Sequence, residues 1–292
     1  MRAFEYHAPA SLNEAISLLE QHGENARPLA GGTDLIVQMK ESATKFPLPS
    51  HLVSLLRVPE LRGIEFSDNQ GLRIGAGATM TDVAESPVIR DRYTAIAEGA
   101  ALVGSIQTMN MATVGGNLCN AAPSAEVAPP LLAFEAEAVI VGPSGRRSLP
   151  LEEFFLGPGK TVLASEELLG EVRVPLPPPG TGSAYMRHTP RKQMDIAVVG
   201  VGVVLTLAGD RIARARVALG AVAPTPVRAR QAEAALEGHP VSDELFARAA
   251  EAAARECSPI SDVRGSAEFR RHIVRVTTER MLQLAADRAR GA

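Results

Sequence analysis

Pro28-Leu29-Ala30-Gly31-Gly32-Thr33-Asp34-Leu35 reads as the end of a short apolar strand, a double-glycine turn and a helix start. Glycines let a backbone come close to a ligand, and successive N–H groups point outward where a helix begins. Thr33 and Asp34 offer capping oxygens. Such a turn suits a phosphate or pyrophosphate, and an ordinary strand-to-helix turn would use the same residues. Upstream, Ser11-Leu12-Asn13-Glu14 has capping-box form, and Leu12, Ala15, Ile16, Leu18 and Leu19 make an apolar helical stripe that Gly23 ends. Downstream, residues 34–41 read as a second helix and residues 51–55 as a strand. The first sixty residues therefore predict a small α/β unit.

A second stretch is built alike. Ala112-Thr113-Val114-Gly115-Gly116-Asn117-Leu118-Cys119-Asn120-Ala121-Ala122-Pro123-Ser124-Ala125-Glu126 combines a double glycine, two amide side chains, hydroxyls and a carboxylate beside an apolar run. A dinucleotide needs donors for phosphate oxygens and an acidic acceptor for ribose hydroxyls, and this stretch offers both. A long loop before a buried helix is the plainer reading. Around it, residues 61–175 predict short strands with glycine turns, among them residues 72–78 and 138–141, and helices over 80–85 and 93–101.

Pro175-Leu176-Pro177-Pro178-Pro179-Gly180 breaks any regular element and marks the boundary between a unit spanning 1–176 and one spanning 181–292. Beyond it, residues 195–207 and 211–222 predict a hairpin through Gly209-Asp210. Helices are expected near 227–237, 242–256 and 266–288, the last with Phe269, Ile273 and Val276 on one face.

Composition removes several functions. The 292 residues are 46% apolar and 22% charged, with a net charge of −3, so nothing in the charge favours nucleic acid or an anionic membrane. Trp is absent and aromatics are 4%, which leaves no base-stacking platform. Cys119 and Cys257 cannot ligate an iron–sulfur cluster that takes four cysteines, and the six histidines are scattered without zinc-site spacing. No signal-peptide core is seen, and the most apolar run, residues 196–208, falls short of the ~17 residues that span a bilayer. These features predict a soluble, cytoplasmic chain.

Three other motifs read as structure. Gly157-Pro158-Gly159-Lys160-Thr161 lacks the first glycine of a phosphate loop, since Phe154 stands there. Gly75-Ala76-Gly77-Ala78-Thr79-Met80 has Met80 in place of the third glycine of a dinucleotide fingerprint, so a strand and tight turn explain it. His188 sits among Arg187, Arg191 and Lys192 in what reads as a solvated basic loop.

The stretch Ala30-Gly31-Gly32-Thr33-Asp34-Leu35 with Met39-Lys40, followed by Thr113-Val114-Gly115-Gly116-Asn117, resembles the two FAD motifs of the molybdenum hydroxylase flavoprotein subunit. Ser183-Ala184-Tyr185-Met186-Arg187 with Arg191 and Asp195-Ile196-Ala197-Val198 resembles that family's later flavin-contacting stretch. Ser261-Asp262-Val263-Arg264-Gly265-Ser266-Ala267-Glu268-Phe269-Arg270-Arg271 resembles its carboxy-terminal signature. The resemblance implies an α+β chain: a vanillyl-alcohol-oxidase (PCMH)-type FAD-binding domain of two α/β subdomains, about 1–60 and 61–176, then a carboxy-terminal α/β domain. It also implies that residues 28–35 and 113–117 wrap the pyrophosphate and that Glu126 lies on the adenosine side. Leu169 and Val103 would pack at the flavin, and Arg187 and Asp195 would approach its pyrimidine edge, where the arginine's charge would raise the flavin potential.

The function implied is electron transfer. Electrons drawn from a substrate at a molybdenum cofactor on a large subunit would pass through [2Fe–2S] clusters on a small subunit to non-covalent FAD here. An external acceptor (NAD⁺, a quinone or oxygen) would receive them, in a complex expected to be a dimer of heterotrimers. The alternative is a standalone FAD-dependent oxidoreductase acting directly on a small molecule.

Overall fold

The structure, a computed structural model, describes residues 3–41 and 48–291; the outermost residues of the two expected units lie outside the described ones. The chain begins with β1 (Glu5–His7), α1 (Leu12–His22), β2 (Ala26–Leu29), α2 (Leu35–Lys40) and β3 (His51–Ser54). The strands form a parallel sheet in the order β1-β3-β2, so each neighbouring pair is joined by a crossover rather than a hairpin. Ser11 Oγ accepts the Glu14 amide, and the Glu14 carboxylate accepts the Ala10 amide, one residue upstream of the expected box partner. Gly23 then stops α1, its amide bonded to the Leu19 carbonyl. Leu12, Ala15, Ile16 and Leu19 are buried against Val53, Val58 and Leu61, and against Val141 and Leu168 of the next sheet.

The second unit holds β4 (Ile64–Ser67), β5 (Gly71–Gly75), α3 (Met80–Glu85), α4 (Pro87–Arg92), α5 (Thr94–Ala101), α6 (Ile106–Met109), α7 (Val114–Asn120) and α8 (Ala128–Ala133). After these come β6 (Glu137–Gly142), β7 (Gly145–Pro150), the β8 (Phe155–Gly157) and β9 (Lys160–Thr161) ribbon, and β10 (Leu168–Val174). An antiparallel sheet runs β4-β5-β10-β6-β7, so the last strand to arrive takes the centre. A bulge at Gly170 in β10 presents its carbonyl to the Ala76 amide at 2.9 Å. Residues 157–161 form a turn within the β8–β9 ribbon.

The third unit is β11 (Thr181–His188), β12 (Val199–Ala208), β13 (Arg211–Gly220) and β14 (Val227–Arg228), then α9 (Arg230–Leu236), α10 (Asp243–Glu256) and α11 (Ala267–Arg290). Its four strands are antiparallel and in sequence order. The helices cover one face through Leu245, Phe246, Ala249, Met281, Leu282 and Ala285. The opposite face meets α8: a side chain at Gly202 would lie 3.0 Å from the Pro129 carbonyl carbon, and one at Gly220 would lie 2.8 Å from the Pro129 ring. Gly202 of β12 and Gly220 of β13 are thus places where the two units touch, whereas Gly200 faces Tyr185 of β11.

Several expectations are corrected here. The hairpin's first strand starts at Val199, and Asp195 and Ile196 lie outside the sheet and reach the site described below. Residues 227–228 pair with β13, so α9 begins only at Arg230. The buried face of α11 is Arg270, Val274, Thr277, Thr278, Met281 and Leu282, whereas Phe269 is 40% exposed. Among the described residues no helix is long and apolar enough to cross a membrane.

Arg270 explains why the 261–271 stretch carries so many polar residues. Its guanidinium donates to the carbonyls of Val198 at 2.7 Å and Ala221 at 3.0 Å, and to the Asp262 carboxylate at 2.8 Å. Ser266 and Ser261 hydroxyls accept the amides of Phe269 and Ala267 and start the helix. Arg270→Met would take a donor from the Val198 and Ala221 carbonyls and one of two cationic partners from Asp262, which keeps Arg264. We expect a loss of about 3 kcal/mol, read by urea denaturation.

Candidate functional site

A cavity of about 700 Å³ opens where the three units meet, within the size range of pockets that enclose a ligand. Its first wall is the turn between β2 and α2. Gly31 sits so close to the second unit that a Cβ there would lie 1.8 Å from the Met111 carbonyl oxygen. Backbone therefore packs on backbone, and no side chain fits between. Neither Thr33 nor Asp34 caps α2 with a side-chain oxygen, contrary to expectation. The consequence is chemical. The amides of residues 31–35 donate to no acceptor among the described residues, although residues 31–35 all line the cavity.

The second wall is the start of α7. Its amides are engaged: Val114 donates to the Ala78 carbonyl at 2.9 Å and Gly115 to Ala76 at 2.8 Å. Gly116 donates to Thr113 Oγ1 at 3.0 Å, and Asn117 to the Thr113 carbonyl at 3.0 Å. A side chain at Gly115 would lie 2.7 Å from Ala76 Cβ, so this glycine serves the packing of α7 on the β5–α3 turn. What α7 does present is Asn117, whose side-chain oxygen is buried without a partner. A buried orphan of this kind is costly unless something else supplies the missing bond. Gln38 of α2 donates to the Asn120 side chain at 3.3 Å and joins the two walls.

Of the residues expected at a site, Pro28, residues 30–35, Val103, Thr113, Gly115, Gly116, Asn117, Glu126, Leu169 and Asp195 line the cavity. Leu29, Val114 and Arg187 do not. Arg187 lies behind the wall, its side chain 3% exposed, ion-paired with Glu126 and donating to the Asp195 carbonyl at 3.1 Å. The turn after β5, which the sequence reading set aside, supplies Ala76, Gly77, Ala78, Thr79 and Asp82 to the wall. Its signal was present in the paired glycines of 75–77, and the missing third glycine hid it.

Burial raises the pKa of Asp34. It raises Glu126 as well, against the pull of the Arg187 guanidinium and with a further push from the Asp34 charge. Asp195 is held low instead, chiefly because its carboxylate accepts the Arg191 amide at 2.9 Å. Desolvation pushes the Cys119 thiol, also on the wall, up to about 12. Open backbone amides, a buried side-chain oxygen without a partner, an apolar floor and a double-glycine approach together fit a ligand that carries both phosphate and an aromatic ring.

Comparison with known proteins agrees. The FAD binding domain found in molybdopterin dehydrogenase matches residues 2–177, and the carboxy-terminal domain of CO dehydrogenase flavoprotein matches residues 184–285. The carbon monoxide dehydrogenase medium chain of Hydrogenophaga pseudoflava is 38% identical, over 97% of this chain and 96% of its own length. A putative xanthine dehydrogenase FAD-binding subunit of Escherichia coli is 34% identical, over 98% and 97%. The solved carbon monoxide dehydrogenase of H. pseudoflava is similar with a TM-score of 0.93 at 39% identity, covering 98% of each chain. Quinoline 2-oxidoreductase of Pseudomonas putida 86 gives 0.90 at 32%, covering 99% and 98%.

Two outcomes are expected. Gly31→Ala forces a methyl into the Met111 carbonyl and should cost about 1–3 kcal/mol of flavin affinity, on the order of tenfold or more. Gly157→Ala, which meets nothing within 4 Å, should leave flavin retention unchanged, as absorbance after gel filtration would show. Since the folded chain keeps Cys119 a neutral thiol, iodoacetamide at pH 8 should label it far more slowly than free cysteine in flavin-stripped protein. Mass spectrometry reads the difference.

Proposed function

This chain belongs to the FAD-binding medium-subunit family of the molybdopterin dehydrogenases, and from that footing we propose that it is the electron-transferring flavoprotein subunit of such an enzyme. In this reading it holds FAD without a covalent bond. It receives electrons from [2Fe–2S] clusters of a small subunit, which are filled from a substrate at the molybdenum cofactor of a large subunit. It then delivers them to an external acceptor, with NAD⁺, a quinone and oxygen as the chemical choices. The complex is read as a dimer of heterotrimers in the cytoplasm, a reducing compartment that suits two free thiols at Cys119 and Cys257.

The observation that carries the reading is the meeting of the open amides of residues 31–35 with the orphaned Asn117 side chain in one cavity. Those amides suit a pyrophosphate, being fixed dipoles that need no reorganisation. Asn117 stands ready for a polar atom of the same ligand, its amide free to present either end. Glu126 and Asp34 are the acidic acceptors available to sugar hydroxyls, and Leu169 and Val103 offer apolar surface to a flat ring. Arg187 acts through Glu126: the guanidinium orients the carboxylate and favours its charged form. With the Glu126 carboxyl set against it, the guanidinium acts on the flavin potential less than a lone arginine at the ring edge would.

The bound flavin supplies the redox chemistry, and the protein supplies position and shelter. Two cysteines, one buried at the carboxy-terminal cap of α10, leave the chain unable to hold the clusters, which fits a division of labour among subunits.

Purified alone, the chain should carry stoichiometric FAD, identified after acid release, and should turn over no substrate until partner subunits are added. Asn117→Leu should weaken FAD binding by about 1–3 kcal/mol. Substrate turnover by the isolated chain would make it a standalone flavoenzyme instead. A chain that stays colourless after reconstitution would overturn the flavin reading.

A further inference from the structure

Three of the six histidines scattered through the sequence come together far from any shared motif. His7 ends β1, His22 ends α1 and His51 begins β3. One ring nitrogen from each lies within 4.8 Å of the others, and all three side chains are half-buried. The parallel pairing of β1 with β3 sets Glu5 opposite His51. Its carboxylate oxygen reaches to 3.5 Å from His51 Nδ1 and 4.0 Å from His7 Nε2. Among the described residues no other group of three metal-ligating side chains comes this close.

We propose that His7, His22, His51 and Glu5 form a structural zinc site that fastens the end of α1 to the edge of the parallel sheet. The geometry is near what the ion needs. Two nitrogens on tetrahedral Zn²⁺, each at ~2.0–2.1 Å, stand about 3.3 Å apart. His7 Nε2 and His51 Nδ1 are separated by 3.1 Å. The His22 ring stacks on His51 with centroids 3.8 Å apart and a 17° interplanar angle. A side-chain rotation turns its lone pair toward the same point, and His22 has that freedom as a half-buried residue on the last turn of its helix.

The ligand set selects the metal. Three imidazoles and one carboxylate, with no thiolate, suit a borderline divalent ion such as Zn²⁺ better than Ca²⁺ or Mg²⁺. Four protein ligands make the closed coordination of structural zinc, with no position reserved for substrate. The carbonyl end of α1 adds favourable negative potential for a cation. Nothing here repeats the cavity, since none of the four residues lines it. The two sites sit at opposite ends of the same strands: His51 pairs with Ala26 at the start of β2, and the double-glycine turn follows its far end at Leu29. Zinc would therefore brace the sheet from which the open amides project. The sequence could not show this, because the ligands come from separate elements and only the β1–β3 register and the reach of α1 bring them together.

The FAD-loaded full chain, stripped with a chelator and dialysed against Zn²⁺ alone, is the sample for the test. Elemental analysis should find one tightly held zinc per chain. His22→Gln and His51→Gln should each weaken binding at least ~tenfold, while His272→Gln, at a distant histidine, should leave it unchanged. Flavin absorbance reports that each variant is folded. X-ray absorption at the zinc edge of the wild-type protein reads the ligands without any mutation: a nitrogen and oxygen shell with imidazole scattering supports the site. A sulfur-containing shell, an all-oxygen shell, failure of the wild type to retain zinc, or a folded His7→Gln/His22→Gln/His51→Gln variant that binds zinc as the wild type does would each overturn it.

Discussion

The Met111 carbonyl oxygen occupies the place where a side chain of residue 31 would have to be. Much of the cavity follows from that contact. It brings the turn after β2 against the segment that leads into α7, so the first and second units share a wall rather than a loose seam. It also places the turn on the cavity wall, where the amides of residues 31–35 donate to no acceptor among the described residues. Donors left open on a cavity wall are available to an anionic ligand.

The third unit contributes through charge as much as shape. Arg187 comes from β11 and pairs with Glu126, while Asp195 and Ile196, just before β12, close part of the cavity. For these residues to arrive, the sheet must press closely on α8, and Gly202 and Gly220 permit it. Further ties hold the same junction: Arg288 of α11 donates to the Ser183 carbonyl and the Glu98 carboxylate, both at 2.6 Å. Glu98 in turn accepts the Tyr185 amide at 2.8 Å. The carboxy-terminal unit is thus a structural part of the pocket, because its Arg187 guanidinium opposes the upward push that burial gives the Glu126 carboxyl.

Local pattern made some elements legible and left others hidden. The β2–α2 unit, β3, α3 and the hairpin of β12 and β13 follow from apolar periodicity and turn residues, which act within a few positions. The helices α4 and α6 escaped notice because helices of one or two turns carry almost no periodicity and depend on tertiary packing. The 75–79 turn was read as scaffold, yet it is wall as well, since its role depends on α7 folding back over it. The meeting of His7, His22 and His51 was invisible for a similar reason, parallel register being a long-range property. Many of the residues that the motif resemblance singled out line the cavity, whereas Arg187 lies behind its wall, a distinction that sequence motifs do not carry.

The two glycine pairs make that last point in another way. Gly31-Gly32 and Gly115-Gly116 look alike in the sequence, yet the first pair lies before α2 and the second within the first turn of α7. At the start of α7 the β5–α3 turn collects the amides of Val114 and Gly115, while Thr113, extended in its backbone, collects those of Gly116 and Asn117 with its hydroxyl and carbonyl. Before α2 no such acceptors are found among the described residues: Asp34 makes no capping bond, and the Met111 carbonyl beside Gly31 is a steric stop, with no hydrogen bond to it. One pair of glycines therefore serves close packing and the other leaves a row of donors open. The difference lies in which acceptors the rest of the chain brings within reach. A glycine pair marks a close approach of backbone, and the hydrogen bonds around it decide whether the approach is to protein or to ligand.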